Sequence, residues 1–230
     1  MKIFNKRPGN ARRGFHYDYS KEDDYSTRVI MPPCEGWLEK KLNPQEMDYL
    51  WRCVDNRKQK PANDILAGDI YESNLLVDRS DWFYLNTLFP LCKMFEDEFG
   101  SSQSALAISQ RHPFYLSKFW VNYQKKHDFN PIHNHNGIYS FVIWMKIPYD
   151  CKEQNRTNKG NHPVRGHFEF EYVNTLGDIN SFAYELNKSH EGTILFFASR
   201  LKHQVYPFYG IDEDRISISG NISCNTSKPL

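Results

Sequence analysis

The sequence predicts an α+β fold that is mainly β, an antiparallel jelly roll with N-terminal supporting helices. Three observations predict it. Helical periodicity is confined to the part of the chain before Gly100. After about residue 112 the chain becomes a series of short aromatic and β-branched runs bounded by Gly, Pro, Asn and Asp. Aromatic residues make up 15% of the 230 residues, mostly Tyr and Phe, which suits pleated aromatic surfaces better than a Leu-rich bundle.

Residues 1–28 are polar, charged and poor in aliphatics, and are expected to form an extended or flexible arm. Residues 29–112 read as a helical support region of the same domain. Its first helix spans 43–58, with Asn43 as N-cap, Pro44 at the first helical position and Met47, Leu50, Trp51 and Val54 on one face. A second covers 79–99, where Trp82, Leu85, Leu88, Leu91, Met94 and Phe95 recur at helical steps and Gly100 supplies a stop. Pro90 is expected to kink or split it. The stretch 68–80 between them fits neither period. Residues 113–230 form the jelly-roll core, with strands expected at 114–124, 139–148, 167–174, 181–186, 193–198, 203–208 and 215–223. The polar connection 150–166 reads as a mobile loop or a lid.

Composition excludes several classes. The 29 basic and 28 acidic residues leave a formal charge of +1, so a basic nucleic-acid or membrane-surface binder is not expected. No apolar run approaches the roughly 20 residues of a membrane-spanning helix. The basic N-terminus lacks the apolar stretch of a signal peptide. Five scattered Cys without paired spacing read as free thiols, so the expected setting is a reducing cytoplasm.

The chemistry concentrates around Asn130-Pro-Ile-His-Asn-His-Asn-Gly137. On extended backbone, residues two apart share a face, so His133 and His135 converge on one side, within reach of one metal ion. A bare His-x-His is more often two surface side chains. A third ligand from another strand changes that balance, and His203, following the apolar run 193–198, is the candidate. Beyond it, Arg215 and Ser217 again share a strand face. A guanidinium beside a hydroxyl matches one end of a dicarboxylate. Imidazole ligands with open positions suit Fe(II). Asn122 shares a face with Trp120 and Gln124, as pocket lining or as outer surface. Asp128 is a candidate acceptor behind a ligand histidine, or a member of a solvated turn. His167-x-Glu169 opens a regular strand, and its alternation already explains it.

In this order and spacing, His-x-His, the segment Phe197-Ala-Ser-Arg-Leu-Lys-His-Gln-Val205 and the segment Arg215-Ile-Ser-Ile-Ser-Gly-Asn221 resemble Fe(II)- and 2-oxoglutarate-dependent dioxygenases, notably a prolyl-hydroxylase-like group of bacteria and phages. The likeness covers roughly residues 118–223. It implies a double-stranded β-helix (jelly-roll, cupin-like) core. It implies that His133, His135 and His203 ligate Fe(II), that Arg215 supported by Ser217 holds the distal carboxylate of 2-oxoglutarate, and that Tyr123 touches the same cosubstrate. Most of the superfamily has Asp or Glu where this chain has His135. The implied activity is a hydroxylase that consumes O2 and 2-oxoglutarate, releases succinate and hydroxylates a peptidyl residue or small molecule. Two rivals are a cupin-like three-His metalloenzyme that does not use 2-oxoglutarate and a non-catalytic β-sandwich module. Sequence sets neither the substrate nor the oligomeric state.

Overall fold

A computed structural model describes residues 36–57, 61–100 and 112–227. The N-terminal arm expected at 1–28 lies outside the described residues. The chain opens with strand β1 (Leu38–Lys41) and helix α1 (Pro44–Asp55). Asn43 caps α1 reciprocally: its side chain accepts from the Glu46 amide, and the Glu46 carboxylate accepts from the Asn43 amide. Strand β2 (Glu72–Leu75) lies in the stretch that fits neither period. The second helical segment begins irregularly at Arg79–Asp81, passes through a π-helical turn at Tyr84–Leu88 and becomes regular in α2 (Phe89–Phe99). The irregular turn sits immediately before Pro90, whose ring lacks the N–H that a regular ladder needs.

The remaining strands are β3 (Phe114–Gln124), β4 (Asn130–His133), β5 (Tyr139–Lys146), β6 (Phe168–Val173), β7 (Ile179–Tyr184), β8 (Thr193–Ala198), β9 (Lys202–Val205) and β10 (Arg215–Cys224). A short helix α3 (Cys151–Asn155) follows β5. Pairing is antiparallel throughout the two sheets. The larger runs β1-β8-β5-β10-β3-β2 and the smaller β4-β9-β6-β7. This is the expected two-sheet β architecture. One difference is that the support region is not wholly helical: β1 and β2 extend the large sheet at either edge.

Period-two alternation divides the large sheet's side chains between two cores. Phe141 and Ile143 of β5, Phe196 of β8 and Val121 of β3 pack against Leu50, Val54, Phe83 and Phe95 of the helical segments. Val142 and Trp144 of β5, and Leu195 and Phe197 of β8, face the small sheet's Phe168 and Phe170. Each such side chain contributes about 1.5–3 kcal/mol on burial. The helices thus cover one face of the large sheet and leave the space between the sheets for the site. Gly220 is needed where β10 crosses Phe141, because a Cβ there would lie 2.5 Å from the ring.

Candidate metal centre

His133 closes β4, His203 lies in β9, and the register pairs them directly. Their ring centres are 4.2 Å apart. His135 lies beyond the end of β4, with ring centres 4.9 Å from His133 and 5.1 Å from His203. The three offer ligand nitrogens that all lie within 4.8 Å of one another. Among the described residues this group contains no carboxylate.

The backbone around His135 is pinned from the large sheet. Its amide donates to the Ser199 carbonyl at 2.8 Å, and the Ile138 amide donates to the Ile222 carbonyl at 2.8 Å. Beneath, the Ser140 hydroxyl bonds to Ser199 Oγ and to Asn221 Oδ1, each at 2.8 Å. Ser199 and Asn221 therefore hold the turn that carries His135. Gly137 has φ +142°, and a Cβ on it would lie 2.9 Å from the Ile222 carbonyl oxygen.

The ring tautomers are fixed by chemistry. His133 Nδ1 lies 2.7 Å from the Pro131 carbonyl and His203 Nδ1 lies 3.0 Å from the Leu201 carbonyl. A carbonyl only accepts, so each Nδ1 carries the proton and each Nε2 keeps a lone pair. This second hydrogen bond is the one that metal-binding imidazoles usually make. Burial lowers all three pKa values. His203 falls well below its usual value, helped by its two neighbours. His135 falls to about 4, by burial and then by His133 and Lys118. For His133, burial outweighs the opposing bond to Pro131. The rings are neutral at neutral pH, as ligation requires. His203 is further held by rings of Phe197 at 4.9 Å and Phe168 at 5.7 Å.

The histidines line a cavity of about 170 Å³ between the sheets. Alternation along β3 and β10 aims Trp120, Asn122 and Gln124, with Arg215 and Ser217, into it. The register sets Arg215 opposite Gln124 and Ser217 opposite Asn122. Arg215 is 1% exposed. Its Nε donates to Gln124 Oε1 at 3.0 Å, Nη1 donates to the Tyr149 hydroxyl and, at 3.4 Å, to the Gly166 carbonyl, and Nη2 donates to the Tyr206 carbonyl at 3.4 Å. No carboxylate among the described residues pairs with it. A buried cation without a counter-ion is costly.

Several expected residues fall elsewhere. Tyr123 is off by one residue in the alternation: it packs on the helix side of β3, beneath the Arg57 guanidinium at 5.1 Å. It does not line the cavity. Asp128 spends one carboxylate oxygen on the amides of Tyr71 (2.7 Å) and Lys125 (2.9 Å), tying two loops together rather than supporting a histidine. Asn122 is buried in the cavity wall and accepts from the Ser73 hydroxyl at 2.8 Å. Segment 150–166 contains α3 and is tied down by the Asn155 side chain, which bonds the Arg165 amide and carbonyl at 3.1 Å each. None of it lines the cavity. Ile65, Leu66, Ala67 and Ile70, which carried no sequence signal, line it instead. Tyr149, Gly166 and Tyr206, which hold Arg215, also escaped the sequence reading.

Residues 118–221 match the family described as "Putative 2OG-Fe(II) oxygenase". Over that segment, just under half of the chain, the protein is similar to the 2OG-Fe(II) oxygenases. The matched oxygenase segment contains all three histidines, Arg215 and Ser217. No curated protein matches the chain. Among solved structures, a 2OG-Fe(II) oxygenase family oxidoreductase from Burkholderia pseudomallei is similar at 16% identity and TM-score 0.48, covering 79% of this chain and 80% of that one. A prolyl-4-hydroxylase from Pseudomonas putida is similar at 15% identity and TM-score 0.47, covering 83% and 94%. A prolyl hydroxylase from Trichoplax adhaerens, bound to a peptide fragment, is similar at 12% identity and TM-score 0.46, covering 82% of each chain.

The donor set fits the cofactors of the family. Three neutral imidazoles with lone pairs facing one space can hold Fe(II), and the unpaired guanidinium in the same cavity can hold a carboxylate.

Proposed function

We propose that the protein is an Fe(II)- and 2-oxoglutarate-dependent hydroxylase, with iron held by His133, His135 and His203 and the distal carboxylate of 2-oxoglutarate held by Arg215. The observation that carries this reading is the buried Arg215 guanidinium, without a carboxylate partner among the described residues, in the cavity of the three histidines. A three-His metalloenzyme that ignores 2-oxoglutarate, or a binding module, would leave that charge without purpose.

Bound iron with 2-oxoglutarate and O2 supplies the oxidising chemistry, yielding succinate, CO2 and one oxygen atom for a substrate C–H bond. The chain's own residues do the rest. The Pro131 and Leu201 carbonyls keep two imidazoles turned with Nε2 toward the metal position. Arg215, braced by Tyr149, Gly166 and Tyr206, fixes the far end of the cosubstrate. Trp120 and Phe168 keep water from the walls. A cavity of about 170 Å³ admits a small molecule or one protruding side chain, not a folded segment. Its apolar lining at Ile65, Leu66 and Ile70 suits an apolar, C–H-bearing group on a peptide or small molecule.

The deciding test is titration of Mn(II)-loaded protein with N-oxalylglycine, a non-reactive 2-oxoglutarate analogue. Saturable binding is expected, together with succinate release by the Fe(II) form. No binding would overturn the proposal.

A further inference from the structure

Gln124 is 3% exposed and lies in the cavity wall directly opposite Arg215 in the β3–β10 register. Its amide orientation is not free. A guanidinium has only donors, so the group facing Arg215 Nε must be the amide oxygen, Oε1, at 3.0 Å. Nε2 then necessarily faces away from the Nε–H. It is buried and has no hydrogen-bond partner among the described residues. A buried amide donor left unpaired is unfavourable unless something accepts from it.

Arg215 is similarly short of free donors. A guanidinium carries five N–H groups. Its Nε–H goes to Gln124, its Nη1 hydrogens to Tyr149 and Gly166, and one Nη2 hydrogen to the Tyr206 carbonyl. One Nη2 hydrogen is left, too few for a two-pronged grip on a carboxylate. The open donors of this pair are thus split between two side chains.

We infer that Gln124 Nε2 is the second donor to the distal carboxylate of the cosubstrate, so that the anion is held by a guanidinium–carboxamide pair rather than by a bidentate guanidinium. One carboxylate oxygen accepts from Arg215 Nη2 and the other from Gln124 Nε2. Ser217, two residues along the same face, lines the same cavity, and its hydroxyl can add a further bond. Gln124 therefore both orients Arg215 through its oxygen and binds ligand through its nitrogen. This inference rests on the 2-oxoglutarate reading of the cavity.

The substitution Gln124→Glu separates the two roles. Glutamate keeps the length and keeps an oxygen for Arg215 Nε, so a purely orienting role survives. The outward donor becomes an acceptor that repels a carboxylate. Calorimetric titration of Mn(II)-loaded protein with N-oxalylglycine is expected to show affinity falling about 10- to 100-fold or more, the range for a lost hydrogen bond to a charged group, with Mn(II) affinity unchanged. In Zn(II)-loaded wild type, one glutamine side-chain NH2 pair is expected to shift in the 1H–15N spectrum on adding N-oxalylglycine, a readout that holds even if the variant folds poorly. Binding by wild type with the folded variant equally tight, or with no glutamine side-chain shift, overturns the role of Gln124 alone. No binding by wild type overturns this inference together with the reading it rests on.

Discussion

His133 and His203 sit directly across from each other on β4 and β9, and each ring donates Nδ1–H to the carbonyl two residues before it. The same local device on two paired strands turns both Nε2 atoms into the cavity. The small sheet thereby orients two of the proposed ligands, and the turn pinned by Ser199 and Ile222 positions the third. Preorganised ligands lose little freedom on binding, which favours tight metal association.

His203→Ala is therefore expected to abolish binding of Fe(II) or Mn(II). Removing a ligand exceeds the 10- to 100-fold loss that outer partners typically produce, so a drop of about 100-fold or more is expected by calorimetry. His203 also fills space among Phe168, Phe170 and Phe197, so some stability goes with it. Near-native metal affinity in this variant would remove His203 from the ligand set.

Arg215→Ala addresses the other end of the cavity. Metal binding should persist, because Arg215 touches no histidine. Cosubstrate binding should fail. In wild type, Mn(II) with N-oxalylglycine at about 100 times its Kd adds roughly 2.7 kcal/mol of stability. For a chain of this size that raises Tm by about 5–10 °C. The variant should lose the part of the shift due to N-oxalylglycine and keep the part due to Mn(II), as thermal denaturation with each addition would record.

The legible part of this site was the part set by local periodicity. His133, Arg215 and Ser217 are placed by two-residue alternation, and the apolar runs around them fix which face is inward. The role of Tyr123 rests on the resemblance alone and not on alternation, and alternation from Trp120 sends it to the opposite face. Asp128 looked available because the backbone amides that occupy it, at Lys125 and Tyr71, leave no trace in side-chain identity. The strands β1 and β2 are only four residues long, and each exists because a distant edge strand accepts it. Gln124 was visible as a neighbour of Trp120 and Asn122, but its meaning depends on the register with Arg215. Contacts of that sequence separation are set by tertiary pairing, which propensity does not encode.

Gly137→Ala tests the turn that carries His135. At φ +142° any side chain is strained, and its Cβ would press on the Ile222 carbonyl at 2.9 Å. The backbone must shift, and the Ile138–Ile222 hydrogen bond and His135 shift with it. A loss of about 1–3 kcal/mol is expected from the denaturation midpoint, with weakened Mn(II) binding. A variant that lost stability but bound metal normally would show that His135 is positioned independently of this turn.

Glu46 links stability to pH away from the site. Its carboxylate is 4% exposed, and burial alone would push its pKa up. The Lys40 ammonium, the Asn43 amide and the Thr87 hydroxyl all donate to it, and together they hold the pKa below its usual value. A depressed folded-state pKa stabilises the protein above the unfolded value, about 4.3 for Glu, and that contribution is lost as pH falls through the lower folded value. At pH 7, Glu46→Gln should cost about 1–3 kcal/mol, because a neutral amide replaces an acceptor of three hydrogen bonds. Lys40 is more than one-third exposed, so its ion pair adds little to that figure. Urea denaturation midpoints of wild type and variant should differ most at neutral pH and converge below about pH 4.3. A gap that stayed constant across that range would mean the carboxylate's charge contributes nothing and that only packing is lost.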